Sequence, residues 1–408
     1  MGLLERIFKR QTTPARAYSV EINEQSTFTA WGGNAWENDI YRGAVDAIAR
    51  NAGKLKGSHV IQYADDQRKT GDFKINRLLQ VRPNPYMTAY DFLYKMVARY
   101  FLYNNSFALI ERDDNGNPRA FYPITASNVQ FMTDGANRLY CGFTLNNGAV
   151  ATFPYEDVIH LRRAFCGNDL LGDDNGALYP ALELAQTQNE GIIKGIKSGA
   201  NIRGILHFTG IIAPEQLKEE KDRFVNDYFS MNNDGGVVVT DQKTEYTPIE
   251  SKPVILSAEQ SQAVKTKIYD YLGVSENIVN SSYNENEFAA FYESTIEPIA
   301  LALGLEFTQK LFTDREQAFG NSILFESGRL QFTSNATKVQ LIKELMPMGL
   351  LTVNQALEIL NLPGVADGDK RITSLNYIDE SIAAEYQLQG IKSTQSNKGV
   401  QSGEGAQA

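Results

Sequence analysis

A stretch of 42 residues without lysine or arginine lies between Lys267 and Lys310, and it constrains this chain more than any other feature of its sequence. Its pattern predicts a helix, a break, a polar loop and a second helix. Ser257 and Gln260 stand at capping-box spacing at the start of the first helix, and Gly273 ends that helix. The stretch is also acidic, with carboxylates at Asp270, Glu276, Glu285, Glu287, Glu293, Glu297 and Glu306. The fold therefore has to accommodate a long acidic segment that has no cations of its own.

The second helix carries one apolar stripe. Bulky side chains recur there at spacings of three and four, which places them on one helix face. They are Phe288, Tyr292, Ile296, Ile299, Leu303, Phe307 and Leu311. Pro298 lies inside the stripe and predicts a kink. The preceding run, residues 277–287, has no proline or glycine to fix a turn. It is predicted to be a loop without apolar anchors and the most mobile ordered part of the second half.

The first half has the pattern of an α/β region with antiparallel strands. Apolar spacing predicts helices over residues 44–55 and 90–103. Two hairpins are predicted, because β-forming runs flank short turns rich in Asn, Asp and Gly. Their strands cover residues 107–112 with 118–124, and 138–145 with 149–153.

A long helix is predicted from Ala177, where the periodicity changes. Gly191, Gly195 and Gly199 recur every four residues on one face of it. Each glycine costs about 1 kcal/mol relative to alanine inside a helix. Either a neighbouring backbone approaches this face closely, or the helix end is weak and frays; the sequence does not favour one over the other.

A small α/β unit is predicted next. It contains strands at residues 204–210, 236–240 and 244–250, and a charged helix at residues 214–229. Further helices are predicted after Ser334 and over residues 352–360. The last twenty residues have no aromatic side chain and are predicted to be disordered.

The inventory of reactive side chains argues against an enzyme. His59, His160 and His207 lie far apart, and none has a second nitrogen or sulfur ligand at helical spacing. The sequence contains no Walker A loop, dinucleotide-binding motif or nucleophile elbow. We therefore expect no catalytic residue, no metal and no cofactor. Cys141 and Cys166 are predicted to be free thiols, because a disulfide framework needs more cysteines.

The charge balance argues against a clamp that grips DNA. The formal net charge is −10, and no run of Lys and Arg forms a basic patch. No window approaches 18 consecutive apolar residues, so a membrane partner is not expected.

Five segments, in this order, resemble the portal proteins of long-tailed, siphophage-like bacteriophages. They are residues 78–124, FPYEDVIHLRR, IYDYLGVSENIV, FYESTIEPIALALGLEFTQKLF and LMPMGLLTVNQALEILNLPGV. Together they fall within residues 40–372. The resemblance implies an α+β portal fold with a wing, a helical stem, a small α/β clip, a long kinked helix with a tunnel loop, and a helical crown.

The resemblance also implies boundaries for these parts. They are a flexible N-terminal arm (1–35), wing (36–176), stem helix (177–202), clip (203–252), second stem helix (253–275), tunnel loop (276–288), kinked helix and wing return (289–333), crown (334–388) and disordered tail (389–408).

Such a protein would form a homododecameric ring at one capsid vertex, through which double-stranded DNA is packaged and ejected. The implied partners are DNA without sequence preference, the large terminase subunit, the major capsid and scaffolding proteins, and a neck connector. It would be found in the virion, and in the host cytoplasm during assembly. The resemblance leaves one alternative, another ring-forming head–tail connector or a minor capsid protein. An enzyme of the packaging machinery would need the Walker A loop that is missing.

Three groups of residues follow from the implied architecture. The tunnel loop would present Asn280, Ser281, Ser282, Tyr283, Asn284, Glu285, Asn286 and Glu287 to DNA. The clip would present Glu215, Lys218, Glu219, Lys221, Asp222 and Arg223 as a docking surface. Gly191, Gly195 and Gly199 would serve helix packing.

Overall fold

The computed structural model describes residues 16–18, 35–63, 68–199, 204–208, 218–219, 222, 244–248, 257–326, 335–360 and 362–373. The chain divides into two compact units, Met1–Glu326 and Ser327–Ala408. Among the described helices, none combines the length and the apolar character needed to cross a lipid bilayer.

The first unit mixes helices with antiparallel strands. Its described helices are α1 (Asp39–Ala52), α2 (Phe73–Gln80), α3 (Ala89–Tyr103), α4 (Tyr179–Gly199), α5 (Ala258–Leu272), α6 (Glu276–Val279), α7 (Glu285–Phe291), α8 (Glu297–Leu311) and α9 (Asp314–Ala318). Its described strands are β1 (Arg16–Tyr18), β2 (Lys56–Gln62), β3 (Arg68–Thr70), β4 (Asn105–Arg112), β5 (Pro118–Pro123), β6 (Ala126–Thr133), β7 (Leu139–Leu145), β8 (Val150–Pro154), β9 (Val158–Arg162), β10 (Gly204–Phe208), β11 (Thr244–Pro248) and β12 (Asn321–Glu326).

Strand β4 lies at the centre of the main core. It pairs antiparallel with β5 on one side and with β9 on the other. Alternate residues of a strand point to opposite faces, so Phe107 and Leu109 face the β1–β6–β7–β8 sheet, where Phe107 meets Phe143 at 5.3 Å between ring centroids. Ser106 faces the other way and donates to Met96 of α3. Because both faces are covered, the strand is buried over most of its length.

A second sheet, of order β12–β2–β3, supports α8. Phe307 of α8 packs against Phe325 of β12 with ring centroids 5.5 Å apart. Gly304 permits this close approach, because a Cβ there would lie 2.9 Å from the carbonyl oxygen of Ile323. Phe307 also meets Phe121 edge-on at 5.2 Å, which ties α8 to β5 as well.

Helix α8 follows a π-helical turn at Tyr292–Ile296 rather than a kink within an α-helix. The Glu297 N–H bonds to the Tyr292 carbonyl, five residues earlier, and Pro298 is the second residue of α8. Proline clashes with the carbonyl four residues before it in an α-helix, and the wider π turn relieves that clash. The sequence predicts a kink at Pro298, and the structure has a π-helical turn that ends two residues before this proline.

The second unit contains the predicted helices together with a small sheet. Its described elements are α10 (Asn335–Leu345), β13 (Met348–Thr352), α11 (Val353–Ile359) and β14 (Arg371–Thr373). Thr352 and Gln355 form the capping box of α11. Strands β13 and β14 pair antiparallel, which the sequence patterns did not indicate.

Most predicted elements of the first unit are confirmed. The two helices of the first half appear as α1 and α3, both hairpins form, and the capping box of α5 and its glycine end at Gly273 (φ 72°) are present. Residues 16–18, within the predicted N-terminal arm, form β1 and pair with β6, and the flexibility of the arm stays a prediction. The predicted strand at 236–240 and the tail at 389–408 lie outside the described residues.

Candidate functional site

The segment predicted as a polar loop is mostly helical. Ser275 caps the short helix α6, and Asn284 caps α7 in a reciprocal capping box with Glu287. Only residues 280–284 lie between the two helices, and Ser281 takes the left-handed conformation there (φ 59°). We call residues 280–287 the tip segment. The prediction of a loop without anchors is wrong, because Ile278 is buried and the caps provide the turn chemistry.

Two further hydrogen bonds hold the tip segment together. The Ser282 N–H donates to the Asn277 carbonyl at 2.9 Å. The Asn277 side chain donates to Glu287 at 2.9 Å, which links α6 directly to α7. The Tyr283 ring lies 5.2 Å from the Phe288 ring.

Helix α6 is also tied to the middle of α5. Lys265 forms an ion pair with Glu276, and Gln262 donates to the other oxygen of that carboxylate at 2.6 Å. The hydrogen bond from Lys265 lowers the pKa of the Glu276 carboxyl, with Gln262 adding to the effect. This acid is therefore paired and ionised at neutral pH.

The tip segment is polar, and its own residues include two acids but no Lys or Arg. Residues 280–286 are exposed and Glu287 is half-buried. All eight predicted residues belong to this segment because they are consecutive, and their contact with DNA stays a prediction. Asn, Ser and Tyr side chains exchange hydrogen bonds easily with water, and the carboxylates of Glu285 and Glu287 repel phosphates. The surface can touch a polyanion sterically, but it offers no cation to bind one.

A second polar cluster fixes the C-terminal end of α5, and we call it the joint (Asn104, Arg163, Asn175 and Tyr271). The Arg163 guanidinium lies 5.0 Å from the centroids of both the Phe101 and the Tyr271 rings. It donates to the Tyr271 carbonyl at 2.8 Å, which satisfies one of the orphan carbonyls at that helix end. It also donates to the Asn104 side chain at 3.1 Å.

Asn175 is the hub of the joint. Its amide donates to the carbonyls of Phe101 and Leu102 at 3.1 Å each, at the end of α3. Its oxygen accepts from Asn104 at 2.9 Å and from the Tyr271 hydroxyl at 3.0 Å. Every hydrogen bond of this buried side chain therefore connects segments that are far apart in sequence.

The π turn is attached to the same end of α5. The Thr295 hydroxyl donates to the Gly273 carbonyl at 2.6 Å. Thr295 is buried within the turn, and Gly273 ends α5. The position of the tip segment is thus set from both sides, by α5 before it and by the π turn after it.

Buried charged groups anchor α8 to β9 and to the residues before it. Lys310 donates to the Tyr155 carbonyl at 2.7 Å and lies 4.0 Å from Glu306. Glu306 accepts the backbone N–H of His160 at 3.0 Å. Burial raises the pKa of the Glu306 carboxyl and lowers the pKa of the Lys310 ammonium, while their mutual attraction opposes both shifts.

His160 is a packed structural residue. It is 2% exposed, stacks on Phe107, and shares hydrogen bonds with Tyr155 and Asn105. Burial lowers the pKa of its imidazole well below the ordinary value. Its neighbours satisfy both ring nitrogens, which leaves neither available for proton transfer.

The remaining predicted sites are placed only in part. Lys218, Glu219 and Asp222 are helical and exposed, whereas Glu215, Lys221 and Arg223 lie outside the described residues. Gly191, Gly195 and Gly199 lie in α4, as predicted. A Cβ at Gly191 would meet nothing within 4 Å, so no backbone of this same chain packs closely there. Close approach by another copy stays a prediction.

The described part of the chain contains no disulfide and no cluster of metal-binding side chains. Cys141 and Cys166 are free, as predicted. Burial raises the pKa of the Cys141 thiol, which suppresses its thiolate form. No group of three or more His, Cys, Asp or Glu side chains among these residues is arranged to hold a metal ion.

Sequence comparisons with known proteins all match this chain to one family. A family model described as "Phage portal protein" matches residues 39–361. The "Probable portal protein" of Lactococcus phage p2 is 23% identical over 234 residues, covering 55% of this chain and 58% of that protein. The "Portal protein" of Enterobacteria phage HK97 is 29% identical over 100 residues, covering 24% of this chain and 23% of that protein. The chain thus matches less than two thirds of the length of these relatives.

Solved structures give the same result for the fold. A chain in "Neck of native GTA particle computed with C12 symmetry", from a gene transfer agent, aligns with a TM-score of 0.57 at 16% identity. The alignment covers 85% of this chain and 96% of that one. A crystal structure of an HK97-family phage portal protein from Corynebacterium diphtheriae aligns with a TM-score of 0.51 at 12% identity, covering 76% of this chain and 99% of that one.

Proposed function

The chain belongs to the phage portal protein family, and on that basis we propose that it forms the ring at one capsid vertex through which double-stranded DNA is packaged and ejected. Phage portal proteins are structural components of the virion, and this chain has the α+β portal fold. The observation that carries the DNA-channel role is the tip segment, an exposed polar turn with acids and no cations, held at a fixed position by α5 and the π turn.

Physical chemistry explains why such a surface suits a channel. A cation that pairs with a phosphate releases counterions and binds DNA tightly. A channel through which DNA must slide gains from contacts that form and break at little cost. Exposed Asn, Ser and Tyr side chains supply such contacts, and repetition around a ring multiplies the repulsion from Glu285 and Glu287.

The other parts follow the family layout. We assign residues 36–176 to the wing, α4 and α5 to the stem, residues 203–252 to the clip, and residues 334–388 to the crown. The partners are further copies of this chain in a homododecamer, the large terminase subunit, the major capsid and scaffolding proteins, and a neck connector. Assembly takes place in the host cytoplasm.

Added cations at the tip test the channel role. Ser282 and Asn286 are exposed, and neither side chain takes part in the capping box. We expect Ser282→Lys with Asn286→Lys to slow DNA packaging several-fold at low salt, and raised salt to restore the rate as the added phosphate contacts weaken. The matched control is Ser282→Gln with Asn286→Gln, which adds length without charge. A normal packaging rate for the Lys variant at low salt would mean that the tip segment is outside the DNA path.

Charge reversal in the clip tests motor docking. Lys218 and Glu219 are exposed neighbours on a helix. Exchanging their charges, with Lys218→Glu and Glu219→Lys, preserves the net charge and should weaken binding of the large terminase subunit while rings still form. Rings that fall apart would place this helix between subunits rather than at the docking surface.

A further inference from the structure

A groove with a volume of about 830 Å³ lies beside α2 in the first unit. One wall is α2 with the turn that follows it, a second is the turn between β4 and β5, and a third runs from the end of α8 to the start of β12. We call this space the α2 groove (residues 72–85, 113–119 and 312–321, with His59). It is far from the tip segment in sequence, and the channel role makes no use of it.

Two buried rings form the floor of the groove, and neither offers a polar atom to a ligand. The Phe312 ring is 9% exposed, and its centroid lies 4.7 Å from that of the His59 ring. The Asp72 N–H donates to His59 Nδ1 at 2.8 Å, so Nε2 carries the proton and donates to Asn321 at 2.9 Å. Phe73 adds a third ring at the rim, where it is 77% exposed. The floor and rim therefore suit a bulky apolar side chain.

Four exposed cations line the groove above this floor. They are Lys74, Arg77, Arg82 and Arg119. Three of them fall within residues 73–90, which contain no acid. Arg119 lies 3.8 Å from Glu111, but its side chain is 72% exposed, and such a pair contributes little. Arg82 donates to the Pro85 carbonyl at 2.7 Å, which uses only part of its guanidinium. The cations therefore keep most of their capacity to bind an anion.

The three acids that line the groove are occupied by their own backbone. Asp72 caps α2, and Glu316 belongs to the capping box of α9. Asp113 accepts two backbone N–H groups of its turn, and the bond from Asn117 and, to a lesser extent, the charge of Lys74 lower the pKa of its carboxyl. Their presence leaves the groove less negative than the chain as a whole, whose net charge is −10.

We propose that the α2 groove binds an acidic peptide segment of a partner protein. A bulky apolar side chain of the segment lies on the floor, and carboxylates on either side of it meet the cations, since the planar guanidinium matches a carboxylate. DNA fits less well, because its backbone has no apolar group for the floor and its phosphates would also meet three carboxylates. The proposal goes beyond the DNA channel and does not depend on it.

Defined peptides test the chemistry of the site. The probe is a short fluorescent peptide with one Trp flanked on both sides by Asp and Glu, and fluorescence polarisation measures its affinity for the full-length chain. One control peptide has Asn and Gln in place of the acids, and a second has Ser in place of Trp. We expect each control to bind about tenfold more weakly, because charge-assisted bonds or buried apolar area are lost. Equal affinities for the probe and the amide peptide would overturn the proposal.

Charge removal in the groove tests its location. We expect Lys74→Gln with Arg77→Gln to lower the affinity for the probe by about tenfold. Gln is a good helix former, so α2 should persist, and circular dichroism checks this. The matched control is Arg138→Gln, an equally exposed cation (73%) on the turn between β6 and β7, which should leave the affinity unchanged. Full affinity in the folded double variant would overturn the proposal.

A second variant tests the apolar anchor without a change of charge. Phe73→Ser removes an exposed ring, so it should not affect folding. It should weaken binding of the probe several-fold and leave binding of the peptide without Trp unchanged. Equal effects on both peptides would contradict the anchor.

Two other occupants are distinguished in the same assay. A single-stranded oligonucleotide of equal charge that binds more tightly than the probe would make the groove a nucleic-acid site and overturn the proposal. Binding of the probe to unassembled chains but not to assembled ones would mean that a neighbouring copy covers the groove, which would also overturn it. Because the assay measures peptide affinity rather than DNA packaging, its failure leaves the proposed channel intact.

Discussion

The joint and the tip segment use the same amide side chain for opposite purposes. At the joint, Asn104 and Asn175 are buried, and their side chains bond across large separations in sequence. The 2.9 Å bond between Asn104 and Asn175 spans 71 positions, and the bond from Arg163 to Asn104 spans 59. Within the tip segment, Asn284 bonds only three residues ahead, and Asn277 of α6 reaches the segment over only ten residues. The joint therefore fixes distant segments in place, whereas the tip stabilises its own turn and leaves its outer surface free to exchange contacts.

Removing the hub of the joint should have the largest effect. Asn175→Ala leaves the Leu102 carbonyl and one N–H of the Asn104 amide without this partner in a buried site, whereas the Phe101 carbonyl keeps the Tyr41 hydroxyl. We expect the free energy of unfolding to fall by about 4 kcal/mol, since each unsatisfied buried group costs about 1–3 kcal/mol. Chemical denaturation at fixed protein concentration measures the loss. Asn280→Ala at the exposed tip is the control and should change stability by less than about 0.5 kcal/mol. Equal losses of stability in Asn175→Ala and Asn280→Ala would contradict the difference between the joint and the tip segment.

The next prediction concerns Lys310→Met, whose loss of stability should depend on pH. The change leaves the buried Glu306 without its nearest cation and should cost about 3 kcal/mol at neutral pH. Burial holds the folded-state pKa of Glu306 above its unfolded value, so the folded protein binds a proton more tightly than the unfolded chain does. The stability from this group is therefore fully present below the unfolded pKa and is lost as pH rises through the folded pKa.

The stability lost in Lys310→Met should therefore be smaller at acidic pH. Relative to wild type, Lys310→Met should lose less stability at pH 5 than at pH 7.5, as measured by denaturant unfolding at both values. Arg138→Met removes a cation from an exposed ion pair with Asp134 and serves as the control. It should cost less than about 1 kcal/mol. A Lys310→Met defect that does not change with pH would mean that Glu306 keeps its charge without help from Lys310.

The smallest effect is expected from the hydrogen bond that joins α6 to the tip segment. Asn277→Ala removes the hydrogen bond to Glu287. This bond is exposed, so water can replace it. Global stability should change by less than about 0.5 kcal/mol. Amide hydrogen exchange at Ser282 should nevertheless accelerate, because its N–H bonds to the carbonyl of residue 277 within the same turn. Exchange that stays at the wild-type rate would show that the two caps alone hold the turn.

Local signals in the sequence predict much of the fold. The capping boxes, the glycine end of α5, the two hairpins and the inner stripe of α8 each depend on residues a few positions apart, and each was predictable. The pairing of β12 with β2 was not, because it joins residues about 260 positions apart. The same limit applies to the joint, since nothing near Arg163 in sequence indicates a sandwich between Phe101 and Tyr271.

The tip segment differs from its prediction for another reason. The sequence predicts a loop over residues 277–287 because they are polar and contain no proline or glycine. The Asn284–Glu287 pair is nevertheless a capping box, and Ser275 is a helix cap, so the sequence does contain the signals for two short helices.

The π turn at Tyr292–Ile296 changes the rotational position of α7 around the helix axis relative to that of α8. An α-helix advances about 100° per residue, so one residue added to or removed from a continuous helix would rotate everything beyond it by that angle. In this chain the extra residue is absorbed in the turn, while Gly304 and Phe307 keep α8 in register with β12. The turn therefore gives α7 an angular offset from α8 that a continuous α-helix would not have, and the buried Phe288 and Phe291 and the hydrogen bond from Thr295 to Gly273 hold that offset.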